Sequence, residues 1–212
     1  MEAIEVRDVS LTLGNEKILL NVNVNFEKGK IHGLIGRNGS GKTMLVKCIC
    51  GFVKPDYGTI IVNNQVVGKN VDFPDGVGII IEIPGFVPYY SGYKNLELLY
   101  RLSGKRDKDR IEEVLRIVGL SEVSDKQVKK YSLGMKQRLG LAQAMLENPD
   151  IYILDEPMNG IDDEAVSDIR RILLKLKSEG KTILIVSHNR DDIDFLCDTV
   201  HSMNRGIIRK IN

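Results

Sequence analysis

The chain has 212 residues, of which 42% are apolar, with 30 basic against 29 acidic side chains and three cysteines. That supplies one substantial core or two small ones, and the cancelled charge excludes a whole-molecule field toward nucleic acid or anionic lipid. Cys48, Cys50 and Cys197 are too few for a disulfide framework and match no zinc spacing, so they are expected to be buried thiols.

The start, MEAIEVRDVS, carries acids where a secretory signal needs basic residues, and no apolar run approaches the roughly 20 residues that span a bilayer. A cytosolic chain without a membrane segment of its own is expected. Alternation from Asn21 to Phe26 predicts a half-exposed antiparallel strand, followed by a turn over Glu27 to Lys30. Ile31 to Ile35, Gly78 to Ile83, Ile151 to Leu154 and Thr182 to Val186 are short, nearly continuous apolar runs. Such runs predict strands buried on both faces of a parallel sheet. Asn63-Asn64 is expected to turn a hairpin. Helical stripes run through Ile111, Val114, Leu115 and Val118, and through Val166, Ile169, Leu173 and Leu176. Strands dominate the first 70 residues and helices 93–147, after which strand and helix alternate.

Between the first buried strand and a predicted helix stands GRNGSGKT, which fulfils G-x-x-x-x-G-K-[ST] through Gly36, Gly41, Lys42 and Thr43. Glycines let backbone N–H groups form a nest for phosphate oxygens, and the following helix adds its positive end. Asn38, Gly39, Ser40, Gly41 and Met44 complete the expected nucleotide contacts. Lys42 can neutralise β- and γ-phosphates, and the Thr43 hydroxyl can ligate Mg²⁺. Asp155 and Glu156 end a second buried strand. Asp155 is expected to steady the metal, and Glu156, facing the other way along the strand, to act as general base. These residues predict a P-loop NTPase.

Tyr131-Ser132-Leu133-Gly134-Met135-Lys136-Gln137-Arg138 resembles the L-S-G-G-Q signature of ATP-binding-cassette proteins. The phosphate loop, this signature, Asp155-Glu156, Asn159-Gly160-Ile161-Asp162 and His188 follow that family's order. Ser132 is a plausible N-cap, so its hydroxyl and neighbouring N–H groups would crown a positive helix end. The resemblance implies that Ser132 and Gly134 reach ATP held by another subunit in a head-to-tail homodimer or heterodimer. It also implies that Asp162 lies at the dimer contact and that His188 contacts the γ-phosphate.

The implied fold is α/β, a RecA-like parallel-sheet core with an antiparallel β subdomain and an inserted helical subdomain. A single nucleotide-binding domain is expected, 1–88 and 148–212 forming the core with its antiparallel part and 89–147 the helical insertion. The implied function is ATP hydrolysis, with ATP and Mg²⁺ bound, powering an exporter of antimicrobial peptides or other amphipathic compounds whose permease subunits are separate chains. The alternatives are a non-transport ATPase of the same family and a nucleotide-dependent interaction module with slow hydrolysis. The protein would then sit in the cytoplasm, peripheral on the inner membrane face, with no nucleic-acid partner.

Two positions depart from the family pattern. Glu82 stands where a metal-sensing glutamine is usual, which looks like the bacitracin- and lantibiotic-resistance branch of exporters and implies a metal-linked catalytic role. Leu13 stands where an aromatic residue would stack on adenine, so base selectivity is expected to be loose. Phe86, Tyr89, Tyr90, Tyr93 and Tyr100 cluster after Glu82, either as core of the helical insertion or as a groove for a permease helix. His32, His201 and the acids Asp191, Asp192 and Asp194 are expected to be structural, the acids meeting a helix dipole.

Overall fold

The computed structural model describes residues 1–82 and 85–211. Two long strands, β1 (Glu2–Leu13) and β2 (Glu16–Glu27), pair antiparallel, and β4 (Tyr57–Val62) and β5 (Gln65–Val66) extend that sheet in the order β2-β1-β4-β5. Val22, Val24 and Phe26 are buried while the asparagines between them are exposed, as the alternation predicts. Asn63 and Asn64 close the β4–β5 hairpin with positive φ angles of 48° and 64°, a left-handed turn that asparagine tolerates.

The second sheet has the order β10-β9-β3-β8-β7-β6. It is built from β3 (Ile31–Ile35), β6 (Val77–Ile80), β7 (Ile151–Asp155), β8 (Thr182–Val186), β9 (Thr199–Asn204) and β10 (Ile207–Lys210). All its pairings are parallel except the β9–β10 hairpin. Tyr152, Leu154, Ile183 and Ile185 join a core on one face, while Ile151, Ile153, Leu184 and Val186 join another. Burial on both faces is why these strands carry no polar alternation. β6 ends at Ile80, earlier than its apolar run predicts, and Ile83 lies outside the described residues.

Among the described residues six α-helices join these sheets: α1 (Lys42–Ile49), α2 (Gly92–Leu102), α3 (Lys108–Ile117), α4 (Leu133–Met145), α5 (Asp163–Ser178) and α6 (Arg190–Leu196). Between β6 and β7 the chain runs through α2, α3, two short 3-10 turns and α4. Leu96, Ile111, Val114, Leu115 and Leu139 tie these helices to the core that also holds Tyr152 and Leu154. Arg110 of α3 donates to the carbonyls of Met145 and Leu146, satisfying the open end of α4.

The isolated histidines are structural. His32 is buried, with Nδ1 2.6 Å from the Thr199 hydroxyl and Nε2 donating to the Glu27 carbonyl at 2.9 Å, and Phe26 packs edge-on against both His32 and His201. Cys48 and Cys50 are buried and Cys197 half-buried, all three free, and burial pushes each thiol up to about 12. Asp192 corrects the helix-dipole expectation: it is buried and accepts from Arg170 of α5, so it fastens α6 rather than merely facing its dipole.

Candidate nucleotide site

The chain leaves β3 at Ile35 and enters α1 at Lys42 through the glycine-rich loop. A Cβ on Gly36 would stand 2.3 Å from the Met203 carbonyl oxygen, so no larger residue fits beside β9. Gly41 caps α1 at φ 107°, a conformation costly for any side chain, and a Cβ there would meet the Ile18 carbonyl at 2.9 Å. Lys42 is buried, its ammonium donating to the Gly36 carbonyl at 2.7 Å and the Arg37 carbonyl at 3.2 Å. The buried Ser40 hydroxyl has no hydrogen-bond partner within the protein. An ammonium resting on neutral carbonyls and an orphaned hydroxyl are groups that a phosphate would satisfy.

A cleft of about 700 Å³ opens over this loop, lined by Asn38 to Met44 together with Glu82, Asp155 and Glu156. Thr43 Oγ1 donates to Asp155 Oδ2 at 2.8 Å. Burial raises the Asp155 carboxyl above its ordinary value despite that hydrogen bond. Asp155 ends β7, whereas Glu156 lies just beyond the strand at a left-handed φ of 51°, its N–H bonded to the Val186 carbonyl at 2.8 Å. Strand alternation therefore does not separate the two acids. The left-handed step brings both into one cleft. Glu156 meets His188, whose Nδ1 is 2.9 Å from each carboxylate oxygen. A carboxylate only accepts, so Nδ1 carries the proton. His188 lines a second cleft of about 810 Å³ against Gly36 to Ser40, together with Arg37, Arg190 and Arg205.

The donor set fits Mg²⁺, which takes oxygen ligands and normally shares one or two carboxylates with substrate phosphates and water. Thr43 and Asp155 are already adjacent, and Glu82 and Glu156 stand in the same cleft. Among the described residues no group of three acids, histidines or cysteines is placed to hold a metal ion.

Other expected residues fall outside this cleft. Leu13 ends β1, 47% exposed, while Glu16 and Ile18 of β2 line the cleft in its place. Ser132 caps α4, its hydroxyl accepting from the Met135 N–H at 3.2 Å, and Gly134 packs tightly on Ala165 of α5. Leu133, between them, reaches the cleft along with Gln137, Asn159 and Gly160. Asp162 caps α5 by accepting from Ala165 N–H at 2.9 Å. The aromatic cluster divides: Tyr100 is buried, Phe86 and Tyr93 pack on the helical core, and Tyr89 and Tyr90 are 68% and 43% exposed. Sequence reasoning missed Lys47, which pairs with Glu82 at 2.8 Å. Its signal was the helical spacing from Thr43.

A phosphate loop closing a parallel strand onto a helix, with two acids at the end of a neighbouring strand, defines a P-loop ATPase of the cassette type. The family model described as ABC transporter matches residues 19–159. An uncharacterized ABC transporter ATP-binding protein of Bacillus subtilis, YybJ, is 43% identical over 204 residues, covering 96% of this chain and 93% of that one. The bacitracin transport ATP-binding protein BcrA of Enterococcus faecalis is 39% identical over 212 residues, covering 99% of this chain and 69% of that protein. The dimeric structure of MJ0796, a bacterial ABC transporter cassette, superposes with a TM-score of 0.87 at 25% identity, covering 99% of this chain and 98% of that one. The chain belongs to the ABC transporter family, as an ATP-binding and ATP-hydrolysing subunit. No helix among the described residues is long and apolar enough to cross a membrane.

Proposed function

We propose that this protein is the engine of an exporter whose membrane subunits are separate polypeptides, carrying peptide antimicrobials or other amphipathic compounds. The observation that carries the reading is the Glu156–His188 pair standing against a complete phosphate loop. Similarity to BcrA supports the cargo class, and Glu82, the residue on which the resemblance to that branch rests, lines the cleft.

In this reading the loop N–H groups and Lys42 bind the triphosphate, and Thr43, Asp155 and Glu82 hold Mg²⁺. Mg²⁺, when bound there, would supply positive charge that offsets the negative charge of the triphosphate. Glu156 accepts the proton of the attacking water, and His188 orients that carboxylate through Nδ1–H. Leu13, outside the cleft at the end of β1, would meet a base that projects past Glu16 and Ile18. Ser132 and Gly134 of a second cassette, identical or merely similar, close over the triphosphate from the far side, with Asp162 at the contact. Residues 1–88 and 148–212 act as the core and 89–147 as the moving helical part. Tyr89 and Tyr90 offer the exposed surface for a permease helix, which keeps the protein on the inner face of the membrane.

Light scattering of Glu156→Gln with Mg²⁺ and ATP tests the engine. The expected outcome is a stable dimer retaining two unhydrolysed nucleotides, while wild type turns over. A variant that binds ATP yet stays monomeric at every protein concentration would overturn the closing cycle. Co-purification from membranes tests the partner, and recovery without any integral membrane protein would overturn the permease assignment.

A further inference from the structure

Four carboxylates line the cleft over the phosphate loop, Glu16 from β2 and, beside the loop, Glu82, Asp155 and Glu156. Like charges gathered in one cleft repel one another and the incoming phosphates. Lys42 serves the loop, its ammonium folded onto the Gly36 and Arg37 carbonyls. Lys47 serves Glu82. It lies on α1 one turn beyond Thr43, on the same helix face, and its Nζ donates to Glu82 Oε1 at 2.8 Å. Glu82 sits two residues past β6 in a left-handed conformation, φ 63°, and Lys47 is its only ion-pair partner among the described residues. That proximity holds the Glu82 carboxyl below the usual range.

Resting on the Mg²⁺·ATP reading above, we infer that Lys47 is a positioning residue for Glu82. It ties the carboxylate to the phosphate-loop helix and neutralises it, so that nucleotide enters a cleft with one fewer uncompensated charge. The geometry explains how a glutamate is tolerated there at all. A glutamine in this position would offer no charge to pair, and a glutamate without Lys47 would oppose the phosphates directly. Because the Glu82 side chain is 66% exposed, against 30% for Lys47, the pair is weak enough to be exchanged when Glu82 turns toward a metal ion.

The test is nucleotide binding rather than turnover. Binding of a fluorescent ATP analogue is measured in EDTA and in saturating Mg²⁺ for wild type, Lys47→Met, Glu82→Gln and the double variant. Lys47→Met is expected to weaken binding about two- to fivefold in EDTA and less than about twofold in Mg²⁺. In the Glu82→Gln background the same substitution should change nothing, and Lys47→Arg should restore the wild-type value. An equal loss in both backgrounds would overturn the inference, because Lys47 would then act on phosphate or on helix stability. No loss in EDTA would overturn it as well. Failure of the underlying reading is distinguishable: wild type would then not bind the analogue, or Lys42→Ala would bind it as well as wild type.

Discussion

The Nδ1 atom of His188 stands 2.9 Å from both carboxylate oxygens of Glu156, although 32 residues separate them in sequence. In the proposed hydrolysis the two side chains would share one function, the imidazole fixing where the carboxylate points. Glu156→Gln and His188→Ala should each lower kcat by about 100-fold or more, with KM for ATP little changed. The double variant should be scarcely slower than either single one. Steady-state phosphate release on all four proteins completes this cycle, and simple additivity would mean the two residues act separately.

Asp155 makes the nucleotide-free fold sensitive to pH. Its carboxyl is raised by burial, so the folded chain holds that proton more tightly than the unfolded chain. The group's contribution to stability is therefore complete in acid, below its ordinary 3.8, and is lost as pH rises through the folded value. Asp155→Asn should raise Tm at neutral pH, each kcal/mol relieved appearing as about 2–4 °C. The gain should shrink as pH falls toward the ordinary carboxylate range. Thermal melts across that range, without nucleotide or metal, check both sign and trend.

Leu13 offers apolar contact but no aromatic face, and neither Glu16 nor Ile18 supplies one. Wild type should hydrolyse GTP within about tenfold of ATP, since stacking on an aromatic ring adds only ~1 kcal/mol. Leu13→Tyr should tighten ATP binding about fivefold, measured by titration with a fluorescent analogue. An unchanged affinity would place the base elsewhere.

Arg170 of α5 donates to Asp192 of α6 at 3.1 Å from Nε and 2.6 Å from Nη2, and lies over the Phe195 ring. The pair anchors the helix that follows His188. Arg170→Met leaves the Asp192 carboxylate buried without a partner and should cost about 2–3 kcal/mol in urea unfolding. Adding Asp192→Asn should recover part of that loss. A single variant as stable as wild type would show that the pair contributes nothing.

Features set by neighbours along the chain were legible in sequence. The phosphate loop is contiguous, and Gly41 answers to a local backbone demand, its left-handed φ, although the demand at Gly36 comes from the distant Met203 carbonyl of β9. The buried strands β7 and β8 announced themselves because both faces meet apolar cores. Ser132 was legible as a cap from its position before a helix, and its bond to Met135 N–H follows from that. Position within the aromatic cluster was not: composition places five rings together, but packing of α2 on the helical core decides that Tyr100 is inside and Tyr89 outside.

What the sequence determined by itself is the chemistry available: an anion cradle, a hydroxyl, three carboxylates and an imidazole, each at the end of a predicted element. What only the tertiary structure decided is which of these meet. The left-handed step at Glu156 turns it toward His188, burial of Asp155 shifts its proton affinity, and α1 delivers Lys47 to Glu82. Those pairings join side chains that are 32 and 35 residues apart. No local periodicity encodes them, because parallel β6, β7 and β8 are drawn together by cores on both sheet faces, and only that packing sets the distances between their ends.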